Sequence, residues 1–329
     1  MSRRLSHPAP GPTNSGRQED SAPAPDCRRS RLLGLLIGDL TNPFFPELIH
    51  AFEDLATGHG YEILLGSTGY DTERTRRSIR RMLERQVDGA AILTFGSEGP
   101  LREEIMRQLG GLPLVFIDDA PRAARTCALS IDYRRGLDEA IRHLSNLGHR
   151  KIAYVSGPMG HRSAQLRREA FLGAIDDTDC ICRDSWLIEG NHTMECGVRA
   201  MEQLLHQKSL PTAVMFSNDM MALGAKRELN RRGIDLPGCI SIVGFDDIQF
   251  AEFATPSLTT IRMSRKALAR AAVEALRSLI EFPGQPVPGI LLKVPTSLIA
   301  RQSTGYAPRT AARTDVSTVA SLAARRPRA

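Results

Sequence analysis

Residues 32–65 read LLGLLIGDLTNPFFPELIHAFEDLATGHGYEILL. The first six residues form a continuous apolar run, which is typical of a parallel strand buried on both faces. A polar and aromatic turn, residues 38–45, follows this run. From Pro46 apolar residues recur at helical spacing until Gly58, and a second apolar run follows at residues 63–65. The stretch therefore predicts a strand, a turn, a helix and a second strand.

The same alternation continues along the body of the chain. Further strands are predicted by apolar runs at residues 90–94, 114–117, 128–131, 152–155, 186–188, 213–216 and 240–243. Helical periodicity separates most of them, at residues 75–86, 101–109, 134–147, 163–175, 194–206 and 220–232. This alternation predicts an α/β fold with doubly wound parallel sheets. Since about ten strands would be unusual in one open sheet, two smaller sheets are expected.

The formal charge of +6 lies in the two ends of the chain rather than in its body. Residues 31–305 contain 33 basic and 33 acidic side chains, so the body is neutral. Residues 1–30 are rich in proline and arginine, and residues 306–329 in alanine, arginine and threonine. Both ends are expected to be disordered, because neither can bury enough apolar surface to fold.

Several classes of protein are disfavoured by the sequence. No apolar run approaches membrane-spanning length and no secretory signal is visible, so a cytoplasmic location is expected. The six cysteines lack zinc-site spacing, which predicts reduced thiols, and the eight histidines show no metal spacing. No motif of nucleophilic, metal-dependent or paired-carboxylate catalysis occurs. The sequence thus predicts no enzyme and no bound metal or cofactor.

Polar and aromatic side chains follow five predicted strands, at the sheet edge where ligands of doubly wound folds bind. They lie at residues 39–45, 118–119, 156–171, 217–219 and 244–247. Aromatic rings can cover the C–H face of a polyhydroxylated ligand, while carboxylate, amide and guanidinium groups bind its hydroxyls. For any single turn, helix capping by Asn or Asp is at least as good an explanation. Five such turns together favour a binding site for a small polar ligand.

Seven strings, in order along the chain, are similar to those of a known family. They are GLLIGDLTNPFF, RQVDGAAIL, LPLVFIDD, HLSNLGHRKIAYVSGP, PTAVMFSNDMMALGA, ISIVGFDDIQFAEFATPSLTTI and PTSLIARQSTG. With these strings, residues 31–305 resemble the effector-binding core of the LacI/GalR family of bacterial transcriptional regulators. That family shares its fold with periplasmic sugar-binding proteins.

The resemblance implies two doubly wound parallel-sheet lobes joined by three crossovers, a fold like that of the type I periplasmic binding proteins. One lobe would comprise residues 31–131 plus 258–289, and the other residues 132–257 plus 290–305. It also implies a homodimeric repressor that holds a small-molecule effector, sugar-like or a related polar metabolite, between its lobes.

Carried over residue by residue, the resemblance implies an effector shell of Asn42, Phe44, Phe45, Asp118, Arg167, Asn218 and Asp246. The phenylalanine rings would stack on the effector, and the remaining side chains would form hydrogen bonds with its hydroxyls. Further candidates are Asp39, His161, Ser163 and Met263. Many sugar-binding relatives have Arg where Asp119 stands and Gln where Met263 stands. These departures favour an effector with an apolar or cationic portion over an ordinary pentose or hexose.

Two other segments have both a ligand-binding and a structural interpretation. Residues 73–85, ERTRRSIRRMLER, contain six arginines, as a nucleic-acid-binding helix would. An apolar stripe of Ile79, Met82, Leu83 and Val87 favours instead a surface helix whose arginines face solvent. The turn at residues 157–163 could bind an anion at a helix N-terminus, although it has no Walker pattern.

Residues 1–30 show no helix-turn-helix of the kind with which family members usually begin, since five prolines leave no room for three packed helices. One hypothesis is a ligand-responsive regulator whose operator-binding module is supplied upstream or by a partner. The other is a stand-alone cytoplasmic small-molecule-binding protein without DNA binding of its own. An in-frame helix-turn-helix upstream of Met1 would support the first, and ligand binding without operator binding the second.

Overall fold

A computed structural model describes residues 29–94, 100–118, 123, 125–282 and 292–308. Its strands are β1 (Leu32–Ile37), β2 (Glu62–Ser67), β3 (Gly89–Leu93), β4 (Leu114–Ile117), β5 (Thr126–Asp132), β6 (Ile152–Ser156), β7 (Leu187–Glu189), β8 (Ala213–Phe216), β9 (Ser241–Asp246), β10 (Thr259–Met263) and β11 (Leu292–Ile299). Its helices are α1 (Phe44–Gly58), α2 (Thr72–Glu84), α3 (Pro100–Leu109), α4 (Tyr133–Asn146), α5 (Arg162–Asp176), α6 (Met194–Leu205), α7 (Asp219–Arg231), α8 (Gln249–Phe253) and α9 (Arg265–Glu281).

The elements from β1 to β9 fall on the segments that the sequence predicts, with ends displaced by a few residues. The alternation of apolar runs and helical periods is therefore sufficient to place nine strands and helices α1 to α7. Periodicity does not reveal β10, β11, α8 or α9. The α/β class and the mostly parallel pairing are confirmed.

The strands form two parallel sheets that share one strand. Hydrogen bonding gives the order β2-β1-β3-β4-β5-β11-β10-β9-β8-β6-β7. The first half of β11, Leu292–Pro295, pairs parallel with β5, and its second half, Thr296–Ile299, pairs antiparallel with β10. A first sheet of β1 to β5 and a second sheet of β6 to β10 are thus joined through β11.

The chain passes between the two sheets three times, after β5, after β10 and within β11, so the predicted three crossovers are confirmed. The second passage lies beyond Met263, because β10 pairs with β9, whereas the sequence division assigns residues 258–289 to the first lobe. The third lies between Pro295 and Thr296, not at residue 290. Helix α9 then packs on α1 and on β3 to β5. The assignment of each residue to a lobe remains a prediction.

Strand β1 shows why the first sheet is covered on both faces. Its Leu33, Leu35 and Ile37 belong to the core that contains Phe52 of α1, and Leu36 packs in the core that contains Met82 of α2. All four β1 side chains are fully buried. Alternate residues of a strand face opposite sides, so a continuous apolar run is what two helix layers require.

Helix α2 supports the structural interpretation of the arginine-rich segment in part. Ile79 and Met82 are fully buried, as the predicted stripe requires, but the side chain of Leu83 is 41% exposed. The arginines at positions 74, 77, 80 and 81 are exposed. The helix is therefore a surface element whose one face completes the core.

Most of the two predicted tails, as well as Asp119, lies outside the described residues. Arg29 Nη2 donates to the carbonyl oxygen of Ile280 at 3.3 Å, and the Ser30 amide donates to Asp88 Oδ1 at 2.9 Å. Within the described part of the chain, no helix combines the length and the apolar character needed to cross a membrane.

Candidate functional site

A small cavity of about 20 Å³ lies where the carboxyl ends of the two sheets face each other. The first sheet contributes residues that follow β1 and β2, and the second contributes residues of α5 and residues at or after the ends of β7, β8 and β9. The lining residues are Asn42, Phe44, Phe45, Tyr70, Ser163, Arg167, His192, Asn218 and Asp246. Six of the seven predicted shell residues thus meet around one cavity. Their role as effector ligands stays a prediction.

The aromatic side of the cavity results from the way in which α1 begins. Asn42 Oδ1 accepts a hydrogen bond from the Phe44 amide at 3.0 Å, which fixes the turn between β1 and the helix. Phe44 and Phe45 are both buried, and their rings meet edge to face with centroids 5.5 Å apart. Asn42 does not cap α1, whose N-cap is Pro43; its side chain fixes the preceding turn and also lines the cavity.

Arg167 projects from α5 and is buried, with only 5% of its side chain exposed. Its Nη1 donates to the carbonyl oxygen of Ser217 at 2.5 Å and lies 3.7 Å from Asp246 Oδ1. The guanidinium carbon lies 4.2 Å from the centroid of the Phe245 ring and 5.2 Å from that of Tyr133. Contact with two rings restricts the orientation of the guanidinium, which suits it to bind an oxygen-rich ligand.

Two carboxyl groups lie near Arg167, that of buried Asp246 and that of half-buried Asp118, and desolvation raises the pKa of each. The pKa of Asp246 rises to about 6, although Arg167 and Arg265 oppose the shift. The pKa of Asp118 also rises to about 6, opposed by the hydrogen bond from Tyr133 and by Arg167. Desolvation disfavours the charged form, so both groups titrate much closer to neutral pH than an exposed carboxylate.

Asp118 is already engaged by neighbouring protein groups. Tyr133 Oη donates to its Oδ2 at 2.6 Å, and the Ile131 amide donates to its Oδ1 at 3.3 Å. Asp118 does not line the cavity of the cleft; it lines a neighbouring groove that also contains Tyr133 and Arg162. Each of its oxygens therefore accepts one hydrogen bond from the protein and keeps a second acceptor position, and its predicted contact with the effector stays a prediction.

His192 brings an imidazole into the cavity. Asn218 Nδ2 donates to the backbone carbonyl of His192 at 3.0 Å, which holds the loop after β7 against the end of β8. A Cβ at Gly157 would overlap the imidazole, so only glycine leaves room for the ring. Burial, together with Arg167 and His161, lowers the pKa of His192 to about 3, so the ring is neutral at physiological pH. Its Nε2 has no hydrogen-bond partner among the described residues.

The four further candidates occupy different places. Ser163 lines the cavity, and the His161 ring contacts the ring of Tyr70, which follows β2 of the first sheet, in a tilted arrangement with centroids 5.0 Å apart. Asp39 lies outside the cavity, and its carboxylate accepts hydrogen bonds from the amide and hydroxyl of Thr41 at 2.9 and 2.6 Å. Met263 is fully buried on β10 and does not line the cavity.

Tyr70 and His192 line the cavity but were not predicted from the sequence. Tyr70 follows β2 and His192 follows β7, so both obey the rule that ligand-facing residues come directly after strands. Polar side chains after the strand are thus a signal at β2 and β7 as well as at the five strand ends considered above.

The arrangement is suited to binding rather than to catalysis. Aromatic rings, a fixed guanidinium, an amide and a carboxyl group surround one small space. Among the described residues, no cluster of three or more histidine, cysteine or acidic side chains could hold a metal ion. Such a mixture fits a ligand with several hydroxyl groups and an apolar face.

Comparison with known proteins identifies the family. Residues 141–304 match the model of the periplasmic binding protein-like domain. The ribose operon repressor of Escherichia coli (strain K12) is 32% identical over 255 residues, which is 78% of this chain and 77% of the repressor. The chain belongs to the LacI/GalR family. The resemblance on which the sequence analysis relied is thereby confirmed, and the family's members matched here are repressors, not enzymes.

Solved structures of LacI/GalR regulators share the fold. A regulator from Lactobacillus casei with bound sucrose has a TM-score of 0.70 at 27% identity, covering 83% of this chain and 99% of that one. A dimeric Lac repressor with an 11-residue C-terminal deletion has a TM-score of 0.73 at 26% identity, covering 84% of this chain and 100% of that one. The predicted similarity to periplasmic binding proteins is confirmed.

Proposed function

We propose that this chain is the effector-binding core of a ligand-responsive transcriptional regulator of the LacI/GalR type. Its effector is a small polar molecule, sugar-like or related, bound in the cavity between the two sheets. The ribose operon repressor and the sucrose-bound regulator support this choice of effector class.

The observation that supports the proposal most strongly is that one cavity is lined from both sheets. Phe44 and Phe45 come from the first sheet, and Arg167, Asn218 and Asp246 come from the second. An effector that touches both groups binds best when the sheets are close together. It therefore shifts the population toward the closed arrangement, which is how a bound ligand changes the distance between distant parts of the chain.

The size of the cavity indicates that the sheets must separate to admit a ligand. A volume of about 20 Å³ holds roughly one water molecule, far less than a sugar occupies. Effector entry is thus coupled to opening, and effector retention to closure. The ring contact between Tyr70 and His161 spans the two sides and has to break during entry.

The regulator acts on operator DNA as a homodimer in the cytoplasm. The dimeric Lac repressor of the same fold supports the dimer, and the repressor relatives support the DNA partner. Operator recognition by the assembled regulator requires a DNA-binding module such as a helix-turn-helix. A change in the spacing of the two first sheets across the dimer then alters the fit to DNA.

Thermal unfolding with a panel of pentoses, hexoses, disaccharides and purine bases tests the proposal. A true effector should raise Tm by about 3 °C or more at saturation. Asp246→Ala should abolish that rise, because the residue lines the cavity, whereas Arg142→Ala on the exposed side of α4 should retain it. If Arg142→Ala removes the rise as completely as Asp246→Ala, the cavity is not the effector site.

A further inference from the structure

A second, larger concave surface lies beside the first sheet, on the exposed side of α2. Its volume is about 710 Å³, within the range of small-molecule sites. We call it the arginine pocket, and its lining residues are Asp39, Leu40, Thr41, Ser67, Gly69, Arg74, Arg77, Ser78, Arg80 and Arg81. None of these residues lines the cavity between the two sheets.

The four arginines of the arginine pocket have no carboxylate partner within the described residues. Arg81 Nη2 approaches Ser78 Oγ at 3.4 Å, which is a weak contact. By contrast, Arg76 on another face of α2 forms ion pairs with Glu73 and with Glu104. Asp39 is the single acidic residue of the lining, and its two oxygens accept hydrogen bonds from the amide and hydroxyl of Thr41.

Such an arrangement destabilises the helix unless something compensates it. Arg77 lies three or four positions from Arg74, Arg80 and Arg81, and like charges at these spacings repel by a few tenths of a kcal/mol each. The neutral body of the chain contains as many acidic as basic side chains, yet the lining of the pocket has four arginines and one acidic residue, Asp39. A concave surface with uncompensated positive charge favours an anionic occupant.

We propose that the arginine pocket binds a small molecule that carries at least two phosphate groups, at a site separate from the effector cavity. The span from Arg74 to Arg81 is roughly 10 Å along the helix axis, more than one phosphate can bridge. Guanidinium groups match phosphate oxygens in pairs, and the Ser67 and Ser78 hydroxyls can complete the contacts.

The geometry disfavours two other occupants. A second copy of the chain with the same face toward this one would bring eight arginines together, which is repulsive. Duplex DNA presents phosphates on a convex surface and is bound by protruding basic groups, whereas these arginines line a concavity. Both occupants are nevertheless separate outcomes of the test below.

The arginine pocket is connected to the effector cavity by a single short turn. Residues 39–41 line the pocket, and Asn42 and Phe44, which line the cavity, follow them directly. A phosphorylated ligand that fixes this turn would therefore alter effector affinity, and by linkage the effector would alter anion affinity equally. This coupling rests on the proposed function, but anion binding itself does not.

Calorimetric titration with inorganic tripolyphosphate tests the site. Arg77→Gln/Arg80→Gln should weaken tripolyphosphate binding at least tenfold, because two of the four guanidinium groups are lost. The control Arg135→Gln/Arg142→Gln removes the same charge from the exposed face of α4 and should change the affinity by less than twofold. Orthophosphate at equal ionic strength should bind at least tenfold more weakly than tripolyphosphate.

Four results would overturn the proposal: no binding of tripolyphosphate, equal losses in the two double variants, tighter binding of a 20-base-pair duplex through the same arginines, or self-association that these arginines control. The first two indicate non-specific charge, and the last two assign the surface to DNA or to a second copy. The Arg77→Gln/Arg80→Gln variant should retain effector-induced stabilisation. If this variant loses effector-induced stabilisation, the arginine pocket and the effector cavity are not separate sites.

Discussion

Arg167 and Asp246 face each other at 3.7 Å, and each is about 95% removed from solvent. The pair closes the second-sheet side of the cavity. Because Arg167 also donates to the Ser217 carbonyl and lies against the Phe245 ring, its guanidinium has little freedom to reorient. The cation and the carboxyl group form one unit whose energetics determine both stability and ligand binding.

Replacing Arg167 should separate stability from binding. Arg167→Ala leaves Asp246 buried without its cation and should cost about 3–5 kcal/mol of unfolding free energy. Arg167→Lys keeps the charge but loses the planar fork, so it should recover much of the stability without recovering effector-induced stabilisation. Urea denaturation and ligand thermal shifts measure the two effects. An effector-induced rise in Tm as large in Arg167→Lys as in the wild type would contradict the proposed role of the planar guanidinium group.

The Asp246 carboxyl group should make stability depend on pH. Its pKa is about 6 in the folded state and 3.8 as an isolated group, so the folded chain retains the proton to higher pH. The stabilisation is full below about pH 4 and is lost as the pH rises through about 6. Asp246→Asn lacks this dependence. The wild-type advantage over Asp246→Asn should therefore shrink between pH 4 and pH 7 in urea denaturation, and an advantage that grows with pH would contradict the assignment.

A side chain at Gly157, in the turn after β6, should displace the His192 imidazole. In Gly157→Ala the new methyl group would overlap the imidazole, which must leave the cavity. Overpacking of this kind costs about 1–3 kcal/mol, and effector affinity should fall as well. Gly160→Ala, three residues away with no atom near its Cβ, is the control. Thermal unfolding and ligand titration should show a loss of stability and of effector affinity only in Gly157→Ala.

Glu47 should favour the closed arrangement of the two sheets. Its Oε2 lies 2.8 Å from Arg265 Nη2, and its Oε1 accepts from the Gln249 amide at 3.3 Å, so α1 is tied to α8 and α9. Partly exposed pairs contribute about 0.5–1 kcal/mol, so Glu47→Gln should weaken effector binding about two- to fivefold. Small-angle scattering should show a larger ligand-free radius of gyration than for Glu53→Gln, an exposed position on the same helix. Equal radii would contradict the prediction.

The positions of β1 to β9 were predictable from the sequence to within a few residues, but the contacts between side chains were not. The apolar run before Asn42 places Phe44 and Phe45 at a sheet edge whatever the rest of the chain does. No local pattern reveals that Tyr133, fifteen residues beyond Asp118, donates to its carboxylate. Met263 was expected near the ligand, yet it lies in the core, because its strand pairs with β9 on one side and with β11 on the other.

Strand β11, near the end of the described chain, could not be predicted from hydrophobic periodicity for a different reason. In strand β11, Pro295 and the polar residues Lys293, Thr296 and Ser297 interrupt the apolar residues, so the strand lacks the continuous run that identifies a buried strand. Its two halves also belong to different sheets with different pairing directions. A local pattern cannot represent an element whose neighbours change halfway along it.

That shared strand limits how the molecule can move. Residues 292–295 are fixed to β5 and residues 296–299 to β10, so the sheets cannot slide apart without breaking backbone hydrogen bonds at this point. The two sheets stay at a constant distance from each other at the peptide that joins Pro295 to Thr296. Their distance can increase only at points remote from this peptide. Opening is therefore a rotation about an axis through this peptide, and the displacement is greatest at the ends of the sheets farthest from β11.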